Sequence, residues 1–215
     1  MQEIKQYQFK GVKFKSYNNL DKDLDIMSGY FEHYFPKKGD VVIDCGAYVG
    51  CFTIIASKLL GLKGKVIAIE PDLVSYRKLL SNIELNKLKN VIALNVGLWC
   101  KKTKLMFSAK GSRGSSFVFG NNKNKLTNVN TLDNIVKNLN IGQIDFIKMD
   151  LEGSELFVLK GAKKTMTKYL PDLAIATYHI VNGKTTDKGI EKFLNTLKYK
   201  TKTGFLKHKV TYGMK

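Results

Sequence analysis

Acidic residues follow three of the apolar, strand-like runs of this 215-residue chain. Asp44 ends the run VVID, and Glu70 ends KVIAIE. Asp150 and Glu152 follow a third run, IDFIKM. Where helices connect parallel strands, the carboxyl ends of the strands meet at one sheet edge, and ligands bind there. Because the chain has a net charge of +18, carboxylates gathered at one edge contrast with the lysine-rich surface expected elsewhere, and they predict a functional site.

A glycine turn, VIDCGAYVGCFT, joins the first of these strands to a helix and limits the ligand. No lysine follows Gly50, so the phosphate-loop pattern G-x-x-x-x-G-K-[ST] is absent. Gly46 and Gly50 give G-x-x-x-G, which lacks the middle glycine that lets a pyrophosphate approach the backbone. Asp44 beside the turn repels phosphates and favours a cationic ligand. S-adenosylmethionine has sulfonium and ammonium groups and no phosphate, so it fits this turn.

Glu70 supports the same ligand from the end of the second strand. A carboxylate offers two acceptor oxygens, which can bridge both hydroxyls of a ribose. The alternative is a surface acid before the turn at Pro71, and the strand-end position favours the ribose role. Residues that follow the strands complete the candidate cofactor-binding set, which is Asp44, Gly46, Ala47, Tyr48, Gly50, Glu70, Pro71, Asn95, Val96 and Asp150.

A parallel sheet has to bring these residues together, and the hydrophobic pattern predicts one. From residue 41 onward apolar runs alternate with helical periodicity, which predicts an α/β fold of the Rossmann-like kind, with a mostly parallel sheet covered by helices on both faces. Predicted strands cover residues 41–44, 65–70, 91–96, 104–107, 144–149 and 173–177. Predicted helices cover residues 52–60, 75–86, 131–139, 154–168 and 188–197. Ser154 is the predicted N-cap of its helix, and residues 198–215 form a closing hairpin.

Two further segments are predicted to cover the site. Residues 1–40 form a strand and a lid helix, over residues 23–35, packed on the cofactor-binding domain of residues 41–215. The loop over residues 111–128 has the Gly and Ser content of an acceptor lid, and Phe117 and Phe119 within it favour burial over disorder. The N-terminus lacks the apolar core of a signal peptide and no run is long enough to span a bilayer, so we expect a cytoplasmic location.

The chain resembles the FkbM family of S-adenosylmethionine-dependent methyltransferases, which have a class I Rossmann-like fold. The stretches that carry the resemblance are VIDCGAYVGCFT, VIAIEPD, VNTLDNI and, most specifically, IDFIKMDLEGSELFVLKGA. The resemblance implies methyl transfer, often to oxygen, with the cofactor at Asp44, Gly46, Glu70 and their neighbours. The chain departs from the family at Tyr48, a position where the family often has Asn. It departs again where Thr177 replaces the acid of an acid-x-His pair whose histidine is His179.

The catalytic candidates are Asp150, Glu152 and His179. Asp150 is placed to contact the amino group of the cofactor or to orient the acceptor. Glu152 fits a general base for a hydroxyl acceptor, and it fits equally an acid that stabilises the following helix N-terminus. His179 is either a base or a structural histidine. Alignment of the nucleophile with the methyl group supplies much of the rate enhancement, so methyl transfer needs little general-base catalysis.

The basic charge raises a second class of acceptor, nucleic acid. Of 36 basic residues only two are arginine, and a nucleic-acid reader more often uses the bidentate fork of arginine, so solvated lysines are the favoured interpretation. In the tail, Lys198, Lys200 and Lys202 alternate and share one face if they form a strand. An aromatic or amide clamp for a target base is absent after the fourth strand, where MDLEG stands.

The sequence therefore predicts an S-adenosylmethionine-dependent O-methyltransferase acting on a small-molecule or glycan-type acceptor. An RNA or DNA methyltransferase that uses the basic surface is the alternative. A cofactor-binding module without activity of its own is a third class. Three cysteines, Cys45, Cys51 and Cys100, have no metal-ligand spacing, and the two that flank the glycine turn are expected to be small buried hydrophobes.

Overall fold

A computed structural model describes residues 3–112, 114–118, 125–205 and 208–215. Its helices, in chain order, are α1 (Asp21–Tyr30), α2 (Cys51–Leu60), α3 (Leu73–Leu85), α4 (Leu132–Asn138), α5 (Glu155–Lys160), α6 (Lys163–Tyr169) and α7 (Asp187–Thr196). The strands of the large sheet are β3 (Val41–Cys45), β4 (Lys65–Ile69), β5 (Val91–Leu94), β9 (Phe146–Met149), β10 (Asp172–Ala176), β13 (Lys200–Gly204) and β14 (Val210–Met214). Smaller sheets contain β1 (Lys5–Phe9), β2 (Val12–Ser16), β6 (Gly97–Leu98), β7 (Thr103–Phe107), β8 (Lys125–Asn130), β11 (Ile180–Val181) and β12 (Lys184–Thr185).

The large sheet confirms the predicted α/β fold class. Among the described residues it has seven strands in the order β13-β14-β10-β9-β3-β4-β5. The strands from β10 to β5 are parallel, and β14 pairs antiparallel with both β10 and β13, which is the predicted closing hairpin. The register between β3 and β9 sets Asp44 opposite Lys148. This pairing brings two predicted strand ends side by side at the site.

Apolar side chains cover both faces of the sheet. Along β3, Val42 packs in one core and Ile43 in the other, since successive side chains of a strand point to opposite faces. Residues of α4 to α7 pack in the same core as Ile43. Residues of α1 and α2 pack in the core of Val42. Burial on both faces explains why these strands read as continuous apolar runs in the sequence.

The lid helix is shorter than predicted and begins earlier. It was expected over residues 23–35, and α1 spans Asp21–Tyr30. After α1 the chain leaves the helix and two aromatic side chains reach the core. Phe31 stacks on Phe52 with ring centroids 5.0 Å apart, and Tyr34 stacks on Phe146 at 5.0 Å. Tertiary packing therefore overrides the helical period after Tyr30.

The single helix predicted over residues 154–168 is two helices, α5 and α6, with a break at Gly161. A Cβ on Gly161 would lie 2.5 Å from the carbonyl oxygen of Trp99, so the break permits a close approach of two backbones. Ser154 is the N-cap residue of α5, as predicted, but its side chain makes no capping hydrogen bond. Its hydroxyl donates to the carbonyl of Leu151 at 2.9 Å and caps no helical N–H.

The last residues of the predicted loop over residues 111–128 form part of a strand in the structure. Residues from Lys125 onward belong to β8, which pairs antiparallel with β7. Phe117 is buried against Phe107, with ring centroids 4.5 Å apart, as its apolar character predicted. Phe119, with residues 113 and 120–124, lies outside the described residues.

The tail lysines lie on the sheet edge. Lys200 and Lys202 are exposed on β13, the outermost strand of the large sheet, whereas Lys198 precedes the strand in a left-handed conformation with φ of 65°. Lys207, also part of the basic tail, lies outside the described residues. Within the described ranges, no helix is both long and apolar enough to cross a bilayer.

Candidate active site

A cavity opens at the carboxyl ends of β3, β4, β9 and β10, as the sequence predicted. It encloses about 990 Å³ of empty space, part of it open to solvent. The glycine turn after β3 forms its floor with Gly46, Ala47 and Tyr48, and Glu70 with Pro71 follows from β4. Helix α1 covers the cavity with Asp23, Ile26, Met27 and Tyr30. Another wall contains Ser112, Gly114, Ser115 and Phe117.

The glycine turn has positive φ angles and a close backbone approach, and both depend on its glycines. Gly46 has φ of +82°, and a Cβ there would lie 2.0 Å from the carbonyl oxygen of Asp150, so no other residue fits. Tyr48, at the position where the family often has Asn, has a left-handed φ of 51°. Gly50, with φ of +96°, precedes α2 and packs against Leu79 outside the cavity lining.

Glu70 lines the cavity and is held rigidly by backbone donors. Its Oε1 accepts from the N–H of Asp72 at 2.8 Å, and its Oε2 accepts from the N–H of Tyr48 at 2.8 Å. Burial raises the pKa of Glu70 to about 7, and the two backbone N–H groups offset part of that rise. Asn95 supports this corner by donating to the carbonyls of Glu70 and Pro71 at 2.8 and 3.1 Å. Each oxygen of Glu70 keeps a second lone pair for a ligand hydroxyl.

Asp44 lies behind the cavity wall, in a buried ion pair that the sequence did not reveal. Its Oδ1 is 3.0 Å from the Nζ of Lys148, and its Oδ2 accepts from the hydroxyl of Thr53 at 2.6 Å. Lys148 also donates to the carbonyl of Gly46 at 2.8 Å, so the pair fixes the glycine turn. Burial opposes the charge on Lys148, but Asp44 and Asp150 raise its pKa above the ordinary value. A direct contact of Asp44 with a cationic ligand stays a prediction.

Asp150 lines the cavity and accepts two phenolic hydroxyls. Tyr30 donates to its Oδ2 at 2.8 Å, and Tyr178 donates to its Oδ1 at 3.3 Å. Burial alone would raise the pKa of Asp150, but Lys148, His179 and His208 hold it below the ordinary value. Asp150 is therefore an ionised acceptor at the centre of the site, and a weak base.

His179 is enclosed by carboxylates rather than exposed to the cavity. Its Nε2 lies 3.4 Å from Glu152 and 3.6 Å from Asp150, and its Nδ1 lies 3.2 Å from Glu155. Burial opposes protonation, yet Glu152, Glu155 and Asp150 together raise the pKa of His179 to about 10. The ring is thus an imidazolium at neutral pH, and it is not among the described residues that line the cavity.

The same cluster has a spacing that a metal ion could use. Ligand atoms of Asp150, Glu155 and His179 lie within 4.8 Å of one another. Both ring nitrogens of His179 face carboxylate oxygens within this cluster, at 3.6 Å from Asp150 and 3.2 Å from Glu155. Oε1 of Glu155 also accepts from the backbone N–H groups of Leu151 and Gly153 at 2.8 and 3.3 Å, which fixes the turn after β9.

Glu152 joins the site to the segment that was predicted to be a lid. The N–H of Gly114 donates to its Oε1 at 3.1 Å, and the hydroxyl of Ser116 donates to its backbone carbonyl at 2.9 Å. Its Oε2 faces His179. Glu152 has a left-handed φ of 52°, a conformation that costs free energy in a residue other than glycine. Both side-chain oxygens therefore hold neighbouring elements in place.

Tyr30, Lys148 and His208 are among the residues that line the cavity without having been predicted as site residues. Lys148 was inside the recognised KMDLEG stretch but was read as part of a strand. Tyr30 and His208 come from α1 and from the connection between β13 and β14, and no local pattern marks either of them. Val96, predicted to bind cofactor, packs partly buried against the core and does not line the cavity.

Comparisons with known proteins bear on the family and the fold of the chain. The profile of the methyltransferase FkbM domain matches residues 44–201. An FkbM methyltransferase structure from Methylobacillus flagellatus KT superposes with a TM-score of 0.65 at 23% identity, over 87% of this chain and 47% of that one. This chain thus spans about half the length of that relative.

Two structures with bound cofactor share the fold. Aeropyrum pernix fibrillarin, with natively bound S-adenosyl-L-methionine, has a TM-score of 0.61 at 13% identity over 98% of this chain and 82% of that chain. The M. jannaschii protein TYW2, in complex with AdoMet, has a TM-score of 0.52 at 19% identity over 98% and 84%. No curated protein sequence matches the chain significantly. The profile match covers well over half of the sequence, and the chain therefore belongs to the FkbM family of S-adenosylmethionine-dependent methyltransferases.

Proposed function

We propose that this methyltransferase methylates a hydroxyl oxygen of an uncharged small-molecule or glycan-type acceptor. The observation that carries the proposal is the chemistry around Asp150. Two hydroxyl groups already donate to this carboxylate, at 2.8 and 3.3 Å, and it lies at the cavity wall. An ionised, desolvated carboxylate that accepts from hydroxyls is suited to orient the hydroxyl of an acceptor.

The residues of the cavity also fit the cofactor. Glu70 is a candidate for the ribose, because both of its oxygens are fixed by backbone donors and each can accept one further hydroxyl. Gly46, Ala47 and Tyr48 bring backbone to the same wall. The bound cofactor supplies an electrophilic methyl group on a sulfonium. The chain's own residues have to hold the acceptor oxygen in line with that methyl, exclude water and receive a proton.

The charge of the cavity wall disfavours an acceptor with phosphates near the reacting atom. The described wall has four acids, Asp23, Glu70, Asp150 and Glu152, and one lysine, Lys148. That lysine is already paired with Asp44 and with a backbone carbonyl. A phosphodiester near these carboxylates is repelled. The sugar–phosphate backbone of a nucleic-acid acceptor would need to stay on the outer surface of the protein.

The alternative acceptor, RNA or DNA, rests on the net charge of +18. The exposed lysines of β13 have a simpler explanation. A strand at a sheet edge presents unpaired backbone groups, and lysines on such strands prevent edge-to-edge association. The acidic cavity wall therefore supports a small-molecule or glycan-type acceptor over a nucleic acid.

A methyl-transfer screen tests the proposal. S-adenosyl-[methyl-³H]methionine is incubated with the protein and with four separate pools: monosaccharides and methyl glycosides, phenols, total RNA, and sheared DNA. We expect label in a sugar or phenol pool and none above background in nucleic acid. Label only in RNA or DNA would establish the alternative, and calorimetry that detects binding of neither cofactor nor its demethylated product would contradict the fit of the cavity.

A further inference from the structure

We propose that His208 is the general base that accepts the proton of the acceptor hydroxyl, an assignment that rests on the proposed methylation of oxygen. His208 lies in the connection between β13 and β14 and lines the cavity together with Asp150. It belongs to none of the motifs through which the family was recognised, and its role follows from its neighbours in space.

Three contacts hold the imidazole beside the reacting region. Its Nε2 lies 3.3 Å from the hydroxyl of Tyr30 and 4.0 Å from Oδ2 of Asp150. Its ring packs on the ring of Tyr178 with centroids 3.8 Å apart. The side chain retains 15% exposure, so it is packed but reachable from the cavity. A base has to be both fixed and accessible, and His208 meets both conditions.

The hydrogen-bond network indicates which ring nitrogen is free to accept a proton. The single hydroxyl proton of Tyr30 goes to Asp150, at 2.8 Å. The oxygen of Tyr30 can then only accept from Nε2 of His208, so Nε2 carries the proton in the neutral ring. The lone pair of the neutral imidazole therefore lies on Nδ1. Asp150 and Tyr30 select the tautomer in the way that a carboxylate orients a catalytic histidine.

Electrostatics keep this histidine neutral, in contrast to His179. Burial lowers the pKa of His208 below its ordinary value, and His179 and Lys148 lower it further, which outweighs the opposite effect of Asp150 and Glu152. The titratable groups that face it come from α1, from β9 and the turn after it, and from the end of β10, and they are Tyr30, Lys148, Asp150, Glu152, Tyr178 and His179. At neutral pH His208 is thus unprotonated and ready to accept a proton.

The other candidates at the site are occupied. His179 is an imidazolium between carboxylates and has no free lone pair. Glu152 uses one oxygen to hold Gly114 and turns the other toward His179. Asp150 has a pKa below the ordinary value, which makes it a poor proton acceptor. We therefore assign Asp150 the role of a positioning residue, which orients both the acceptor hydroxyl and the ring of His208.

The proposed step balances as follows. The acceptor oxygen gives its proton to Nδ1 of His208 and forms a bond to the methyl carbon. The carbon–sulfur bond breaks, and its electron pair stays on sulfur. His208 ends the step as an imidazolium beside ionised Asp150 and then returns the proton to water. The positive charge of the cofactor's sulfonium is thereby moved to His208, where a carboxylate stabilises it.

A proton NMR titration tests the assignment without needing the acceptor. The sequence has three histidines, His33, His179 and His208, and the variants His208→Gln and His33→Gln assign their ring C2–H signals. We expect the signal of His208 to titrate below the ordinary value of about 6.5, while His179 stays protonated beyond pH 8. A titration of His208 at pH 7 or above overturns the proposal. If His208→Gln does not fold, His208→Asn replaces it for the assignment.

Activity gives the second test, with the acceptor identified by the methyl-transfer screen. We expect His208→Gln to lower kcat by about 10²-fold at pH 7, the lower end of the usual range for a general base because alignment supplies much of the rate, with cofactor affinity retained. The rising limb of the wild-type pH–rate profile should disappear in the variant. His33→Gln, whose ring packs on Tyr212 outside the cavity, is the matched control and should keep the wild-type rate. An unchanged rate and pH profile in His208→Gln contradicts the assignment, whereas a wild-type protein that binds no cofactor contradicts the proposed function instead.

Discussion

The ion pair between Lys148 and Asp44 allows a quantitative prediction about stability. Both side chains are almost fully buried, with exposures of 7% and 0%, and Nζ lies 3.0 Å from Oδ1. The variant Lys148→Met removes the cation and keeps a side chain of similar length. Asp44 then remains as a buried carboxylate whose hydrogen bond from Thr53 is its main support. The bond that fixes the carbonyl of Gly46 is lost as well.

The size of the effect follows from the geometry. At 3.0 Å and an effective dielectric constant of about 20, the attraction between the two charges is about 5.5 kcal/mol. Breaking one side of a buried pair typically costs about 3–5 kcal/mol of unfolding free energy. For a domain of this size that corresponds to a fall in Tm of about 6–20 °C.

Urea unfolding followed by circular dichroism measures this loss. Lys200→Met, on the exposed edge strand, is the matched control and should change the unfolding free energy by less than about 0.5 kcal/mol. The double variant Asp44→Asn/Lys148→Met, in which neither of the two positions carries a charge, should recover at least half of the loss. A loss below about 1 kcal/mol for Lys148→Met, or a double variant less stable than the single one, would refute the argument that an unpaired buried charge dominates.

Three further predictions concern Glu70 and the edge lysines. Glu70→Ala should weaken cofactor binding at least about tenfold in calorimetry, because a hydrogen bond to a charged group contributes about 1.5–3 kcal/mol; equal affinity for this variant and for the exposed control Glu84→Ala would remove Glu70 from the site. Because the pKa of Glu70 is raised to about 7, the folded protein retains a proton that the unfolded chain releases, so its contribution to stability falls as pH rises from about 4.3 to about 7. Denaturation at several pH values should show this fall in the wild type and not in Glu70→Gln. The double variant Lys200→Gln/Lys202→Gln should keep its methyl-transfer rate and aggregate sooner on heating, as measured by light scattering; a loss of RNA binding and a smaller salt dependence in that variant would instead support a nucleic-acid partner.

The strand-end acids and the glycine turn were predictable because each depends on a short stretch of sequence. A strand, a turn that requires positive φ, and a following helix are all local, so the position of Glu70 and the fold class followed from the pattern. The partner of Asp44 was not predictable in the same way. It depends on the register between β3 and β9, which joins residues 104 positions apart, and this register is fixed by packing.

Two other misses have the same origin. The break at Gly161 arises from the close approach of Trp99, a contact that hydrophobic periodicity cannot indicate. His179 was recognised as a candidate, but its charge depends on three carboxylates from the turn after β9 and from α5. No local pattern marks His208, since a histidine between two lysines of a basic tail resembles solvated surface.

The position of β14 between β10 and β13 has a consequence for the order in which the protein is completed during synthesis. The parallel strands from β3 to β10 leave the ribosome before β14 and can pair with one another, so the half of the site that contains Glu70 can form on the growing chain. The edge of β10 stays unpaired until β14 inserts. Because His208 immediately precedes β14, the same insertion that closes the sheet also delivers this residue to Asp150. The last strand of the sheet in the chain is therefore also the one that fixes the position of His208 beside Asp150.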